Sequence, residues 1–215
     1  MAAASGSLTK MSVPSGGGGS NQTLLMPKLQ YRFRVKFIGF GVSGNDTSDL
    51  TRQVIDCNRP QVTFETVTLP IYNSTIYIAG KHTWNELTIN LRDDVTNNVS
   101  KLVGAQLQKQ LDFVEQAAAA AGGDYKFTTL IDILDGNNGT AGPQVLESWE
   151  CYGCFLQAAN YQSLNYSTNE PVTIALTVRY DNAVQSKEGL LGAGVGIGTP
   201  SISNNTTGVV TSTGS

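Results

Sequence analysis

The sequence predicts a β-dominated α+β domain carrying one α-helix. Three observations predict it. Most apolar residues between positions 28 and 182 recur with a period of two, the mark of half-buried strands. Only one stretch carries a three- and four-residue apolar stripe. Strand-like runs are separated by Gly, Pro and Asn clusters, with five runs before the helical stretch and three after it.

"KLQYRFRVKFIGFG" alternates Leu29, Tyr31, Phe33, Val35 and Phe37 with Lys28, Gln30, Arg32, Arg34 and Lys36, which predicts one apolar face and one basic row. "TRQVIDCNRP" reads as a short irregular strand. "QVTFETVTLP" reads as a strand closed by Pro70, and "IYNSTIYIAG" as one that stops at Gly80. "WNELTINLRDD" sets Leu87, Ile89 and Leu91 on one face. In "TNNVSKLVGAQLQKQLDFVEQAAAA", Val99, Leu102, Val103, Leu107, Leu111 and Val114 form the helical stripe. Asp94, Thr96 or Asn97 would cap its start and Gly122-Gly123 would end it. "YKFTTLIDILD" and "QVLESWECYGCFLQA" flank the hairpin loop "GNNGTAG". "EPVTIALTVRYDN" places Val172, Ile174, Leu176, Val178 and Tyr180 inside. Residues 28–185 are therefore read as one domain, with residues 1–27 and 186–215, rich in Gly, Ser and Thr, as flexible arms.

Composition narrows the function. Charged residues make up 14% of the 215, against about 25% for an ordinary soluble domain. Either neutral polar groups cover the surface, or other copies bury much of it. A net charge of −3 argues against a nucleic-acid binder, which needs a basic field. No run approaches the roughly 20 apolar residues of a membrane helix, and no apolar stretch of secretory type follows the start, so the cytoplasm is the expected place of synthesis. In a chain so rich in Asn and Thr, the N-x-S/T matches read as chance.

Candidate chemistry is sparse. Cys151 and Cys154 have a C-x-x-C spacing, but within a strand residues three apart point to opposite faces, so the pair is read as structural. His82 is the single histidine and has no second cysteine pair to complete a zinc set. Asp93-Asp94 reads as a helix-start pair, and Asp132 with Asp135 as a hairpin-turn pair, rather than as calcium ligands or acid–base groups. "SGGGGS" lacks the Lys-Ser/Thr of a phosphate loop, and "LLGAGVGIGTP" neither follows a strand nor opens a helix. The reading is no catalytic residues, no metal and no cofactor.

The order "YRFRVKFIG", "TLP", "IYIAGKHTWNELTINLRDD", "LVGAQLQKQLDFV" and "LESWECYGCFLQAANYQSLNYSTNEPVTIALTVRYDN" resembles the tail tube protein family of contractile-tailed bacteriophages over roughly residues 28–184. The matching pieces are Leu69-Pro70, Ala79-Gly80-Lys81 with Trp84, Asp93-Asp94, Gly153-Cys154-Phe155 and Tyr180-Asp181. Leu156 stands where family members usually carry Pro, and the C-terminal segment extends beyond the family core.

The resemblance implies a phage tail-tube fold, an antiparallel β-barrel or sandwich with one α-helix, shared with the type VI secretion tube. It implies homohexameric rings whose sheets join into an inner barrel, stacked into a tube within a contractile sheath. The implied partners are other copies, the sheath protein, and baseplate and tail-terminator proteins. DNA would pass transiently without specific binding, and the location would be a virion assembled in the host cytoplasm. The interface candidates are Leu69, Pro70, Ile71, Tyr72, Ile76, Tyr77, Gly80 and Trp84, a hairpin expected to dock ring on ring, with Arg32, Arg34 and Lys36. These three cations would hold DNA if they faced a channel, so they are expected to point away or to be neutralised by neighbours such as Glu65 or Asp56. Two alternatives stand beside this reading. One is a tube-initiating or tube-capping baseplate protein of the same fold. The other is a carbohydrate-binding β-sandwich using Trp84, Trp149 and the Tyr-rich "NYQSLNY".

Overall fold

The computed structural model describes residues 27–41, 47–137, 142–167 and 169–186. The chain divides into two units, Met1–Arg32 and Phe33–Ser215. Most of both expected arms and part of the "GNNGTAG" loop lie outside the described residues. The described part of the first unit is a turn in which the Arg32 N–H donates to the Leu29 carbonyl at 3.2 Å. The Arg32 guanidinium lies 5.5 Å from the centre of the Tyr31 ring, so Leu29 and Tyr31 do not extend the first strand as the alternation suggested.

The second unit contains nine strands and two helices among its described residues: β1 (Phe33–Ile38), α1 (Ser48–Gln53), β2 (Val54–Cys57), β3 (Val62–Ile71), β4 (Ser74–Trp84), β5 (Leu87–Arg92), α2 (Asn98–Gln110), β6 (Phe127–Leu134), β7 (Val145–Tyr161), β8 (Thr173–Arg179) and β9 (Asn182–Ser186). α1 replaces the first half of the expected strand "TRQVIDCNRP". It has a single buried residue, Leu50, and six residues are too few for a legible stripe.

β7 organises everything else. Its first half pairs β6 on one side and β9 on the other; its second half pairs β8, which continues to β5 and β2. With β1 beyond β6, this gives two antiparallel half-sheets sharing one 17-residue strand, a sandwich-like sheet that does not close into a barrel. The core lies between them. Val35, Phe37, Ile131 and Cys151 face in from one half; Leu87, Ile89, Leu91, Leu156, Ile174, Leu176 and Val178 from the other; Val99, Leu102 and Val103 from α2. Phe37, Phe40 and Phe127 pack ring on ring, with centroids 4.9–6.4 Å apart. Val172, expected inside, is exposed because it precedes β8.

α2 starts as expected and stops early. Asp94 Oδ1 accepts the Asn98 N–H at 3.1 Å and Asp94 Oδ2 accepts the Thr96 hydroxyl at 2.7 Å, so Asp94 is the residue that caps it. The helix ends at Gln110, twelve residues before Gly122. Asp112 offers the backbone an alternative: its Oδ1 accepts the N–H groups of Val114 and Glu115 and the Gln108 amide, closing a local turn. Val114, expected on the helical stripe, is consequently exposed, as is Phe113. Among the described residues no helix is long and apolar enough to cross a membrane.

Candidate assembly surfaces

β3 and β4 form a sheet of their own, a hairpin of 10 and 11 residues. Ile71 pairs with Ser74 across a two-residue turn, Tyr72-Asn73, with Tyr72 at φ +36°. The pair closing such a turn exchanges hydrogen bonds, so the next one, Pro70 with Thr75, falls where a missing N–H costs little. Pro70 therefore does not end β3. Nor does Gly80 end β4: the register shifts between Phe64 and Thr66, where three steps on β4 match two on β3. A Cβ on Gly80 would press to 3.1 Å from the Glu65 carbonyl oxygen, so the bulge favours glycine there.

Beyond the bulge, one face of the ribbon carries Val67, Leu69, Ile71, Ile76 and Ile78, each 41–49% exposed; Thr66, Thr68, Pro70, Thr75 and Tyr77 lie on the other. Tyr72 at the tip is fully exposed and Tyr77 is 68% exposed. The root is anchored: Trp84 is buried against Tyr180 at 5.7 Å, and His82 sits between the rings of Phe64 and Trp84. The structure thus brings Leu69 through Gly80 onto one projecting ribbon and separates Trp84 from them, inside the core. A two-stranded hairpin alone in water is marginal. Covering the exposed half of those five aliphatic side chains would contribute roughly 3–7 kcal/mol.

The basic row falls elsewhere. Arg34 and Lys36 lie on the outer face of β1, and their counter-charge is Asp132 on β6 rather than Glu65 or Asp56. Arg34 Nη2 lies 2.8 Å and Lys36 Nζ 3.5 Å from Asp132 Oδ2, while the Ser148 hydroxyl donates to Oδ1 at 2.7 Å. Burial pushes the Asp132 carboxyl up, but the Arg34 and Ser148 hydrogen bonds and the two positive charges outweigh it, holding the group below its ordinary value. Asp132 is a mid-strand ion-pair residue, not the turn residue its spacing from Asp135 suggested. Asp135 does hold the turn, accepting the N–H groups of Asn137 and Gln144. Asp56 accepts from the Asn90 amide instead.

"WECYGCF" is the corner between the half-sheets. Three steps on β7, from Cys151 to Cys154, match two on β6, from Thr129 to Phe127, and the extra residue is accommodated at Gly153, φ +67°. That bulge resets the alternation, so Cys151 and Cys154 both enter the core rather than pointing to opposite faces. Cys154 Sγ donates to the Cys151 carbonyl at 3.2 Å, and burial pushes both thiols up. The same is true of Cys57, raised to about 12. These thiols are poor nucleophiles and poor metal ligands at neutral pH. Gly153 bends β7, which continues to Tyr161.

Two glutamines missed by the sequence reading fix this arrangement. Gln106, fully buried, accepts the Gly41 N–H at 2.9 Å and donates to the Tyr125 carbonyl at 2.6 Å. Gln110 donates to the Leu156 carbonyl at 2.8 Å and accepts its N–H at 2.9 Å, imitating a neighbouring strand. Polar residues on an amphipathic helix give no signal of this kind until their partners are placed.

Two half-sheets sharing a bent strand, a helix packed against them along one face and an aliphatic hairpin that forms a sheet of its own make up the fold of the described residues. No protein-family model matches the chain, and no curated protein matches its sequence. Solved structures do. The chain is similar to the anti-feeding prophage tube-terminating cap (TM-score 0.55, 16% identity, 77% of this chain and 94% of that one). It is also similar to the anti-feeding prophage baseplate (0.54, 13%, 78% and 100%) and to the sheath/tube terminator of the extracellular contractile injection system PVC (0.51, 12%, 76% and 99%).

Proposed function

We propose that the chain is the structural subunit of a bacteriophage tail tube, assembling as hexameric rings that stack inside a contractile sheath. The observation that carries this reading is the β3–β4 hairpin: a long ribbon with a five-residue aliphatic face that its own chain leaves about half exposed. A second copy is the cover this geometry calls for, and Leu69, Ile71, Ile76, Tyr72 and Tyr77 are the residues that would meet it. In this reading the tube conducts DNA without binding it, joins baseplate and terminator proteins at its ends, and is part of a virion assembled in the host cytoplasm.

The test is deletion of residues 71–79 in the full chain, with negative-stain microscopy and circular dichroism. The expected result is a folded chain that no longer forms tubes; normal tubes from the deleted chain would rule the hairpin out as the ring-to-ring contact. A tube-end protein of the same fold is favoured by the cap, baseplate and terminator structures that the chain resembles. Single rings, in place of long uniform tubes, from the unmodified chain would select it. The sugar-binding alternative loses its two tryptophans, since Trp84 is buried and Trp149 is part-buried with its indole N–H donated to Glu147 at 2.8 Å, and keeps only the exposed Tyr161 and Tyr166 of the Tyr-rich segment.

A further inference from the structure

We propose that the dispersed chain pairs with a second copy through the outer edge of β4, the two hairpins joining about a two-fold axis at Tyr77 into one four-stranded antiparallel sheet. The hairpin is a sheet of two strands, so among the described residues each strand has an unpaired outer edge. Which backbone groups lie on those edges follows from the register. With Ile71 and Ser74 closing the turn, alternate pairs exchange hydrogen bonds: that one, Leu69 with Ile76, and Val67 with Ile78. The pairs between them turn their backbone groups outward, from Thr66, Thr68 and Pro70 on β3 and from Thr75, Tyr77 and Ala79 on β4.

The two edges differ. β3 lacks an outward donor at Pro70, a device by which natural edge strands refuse a partner. Other strands at sheet margins are guarded in other ways: β1 carries Arg34 and Lys36, and β2 is four residues long and carries Asp56. Between Ser74 and Gly80, β4 has no proline and no charge, and every residue from Ser74 to Ala79 is exposed. Neither strand holds an Asp, Glu, Lys or Arg from Thr66 to Gly80. An exposed, uncharged edge of this kind is a template on which another strand adds.

The edge complements itself. Laid antiparallel on a second copy with Tyr77 on the axis, it sets Tyr77 opposite its own counterpart and Thr75 opposite the second copy's Ala79. All three outward residues then meet outward residues, so each free N–H and C=O finds a partner. Ile76 falls opposite the second copy's Ile78, at a pair without hydrogen bonds, where side chains approach most closely. The two aliphatic rows become one continuous face, with the two Tyr77 rings side by side on the other. Lys81 lies toward the second copy's turn, away from that copy's Lys81. Pairing β4 with a second copy's β3 would instead run head to tail and grow into a fibre, and Pro70 removes a donor from that arrangement. The β4 pair is closed by its symmetry. Four strands with an apolar face also reach the size at which a sheet is stable, which the two-stranded hairpin does not. The pair belongs to the dispersed chain and does not require the tube reading.

One strand edge on each side is a small interface, so pairing depends on concentration. Sedimentation of the full chain, with no assembly seed, should show the mass rising from one chain toward two as concentration increases. Tyr77→Pro removes an N–H that the hairpin itself does not use, and Tyr77→Lys sets like charges opposite each other on the axis. Both variants should keep the circular dichroism of the unmodified chain and stay at the mass of one chain. Crosslinking with oxidised glutathione reads the register. A hydrogen-bonded pair has Cα atoms about 5.5 Å apart, within disulfide reach, so Tyr77→Cys chains should crosslink to one another. Thr75→Cys and Ala79→Cys chains should crosslink when mixed and not separately, with the unmodified chain as the control for the native thiols. A one-chain mass at every concentration, a mass that passes directly to rings with no two-chain species, or pairing that survives in both Tyr77 variants would overturn the proposal. So would Thr75→Cys chains that crosslink alone as fast as Tyr77→Cys chains.

Discussion

Gly153→Ala should be among the most damaging single-methyl additions in the domain. At φ +67° an L-residue costs about 1–2 kcal/mol relative to glycine. The added Cβ would also come within 2.7 Å of Asp181 Cγ and 3.2 Å of Asp181 Cβ. Asp181 cannot move freely: its own N–H donates to the Tyr152 carbonyl at 3.0 Å, and its carboxylate pairs with Lys126. Displacing it forfeits a partly exposed ion pair worth under about 1 kcal/mol and pushes on the backbone at the corner. The sum is about 2–4 kcal/mol, or roughly 5–15 °C in Tm for a chain of this size. Urea unfolding at low protein concentration, followed by tryptophan fluorescence, measures it. Asp181→Gly in the same chain should recover the steric part, leaving about 1–2 kcal/mol from the backbone conformation alone. A loss below about 0.5 kcal/mol for Gly153→Ala, or no recovery in the double variant, would refute the account of the corner.

Two further predictions concern charge and sulfur. Asp132→Asn should cost about 2 kcal/mol near neutral pH, because Arg34 and Lys36 lose the carboxylate that serves both. The native carboxyl is held below its ordinary value, so its contribution is present above the ordinary carboxylate range and lost as pH falls through the lower folded value; the unfolding curves of the two chains should differ at neutral pH and converge only in acid below that ordinary range. Iodoacetamide at about pH 8 should leave Cys57, Cys151 and Cys154 unmodified in the native chain and alkylate all three in urea, read as intact mass, because burial pushes every one of these thiols up.

The strand content, the position of the helix and the inward faces of β1, β5 and β8 were legible because each depends on local periodicity. Val35 and Phe37, Leu87 through Leu91 and Ile174 through Val178 alternate as a pleated strand must when one face is buried. Periodicity failed wherever a bulge or a side-chain bond reset it. Gly80 looks like a strand end to a reader of sequence, yet there, as at Gly153, the strand continues with its phase shifted, and the second shift places both cysteines in the core. The apolar pattern through Val114 hid the end of α2, which Asp112 sets by bonding to backbone two and three residues ahead.

By itself the sequence determined that this is a strand-rich, low-charge chain with a hairpin of alternating aliphatics, since those properties belong to composition and near-neighbour spacing. Only the tertiary structure decided what faces what. Asp132, 98 residues from Arg34, became the counter-charge of the basic row; Gln110, 46 residues from Leu156, became the stop on a sheet edge; and β7 was shown to serve two half-sheets. The physical reason is the same in each case. A strand's backbone groups and a buried charge are satisfied by partners distant in the chain, and one-dimensional spacing holds no record of which partner the sheet register will deliver.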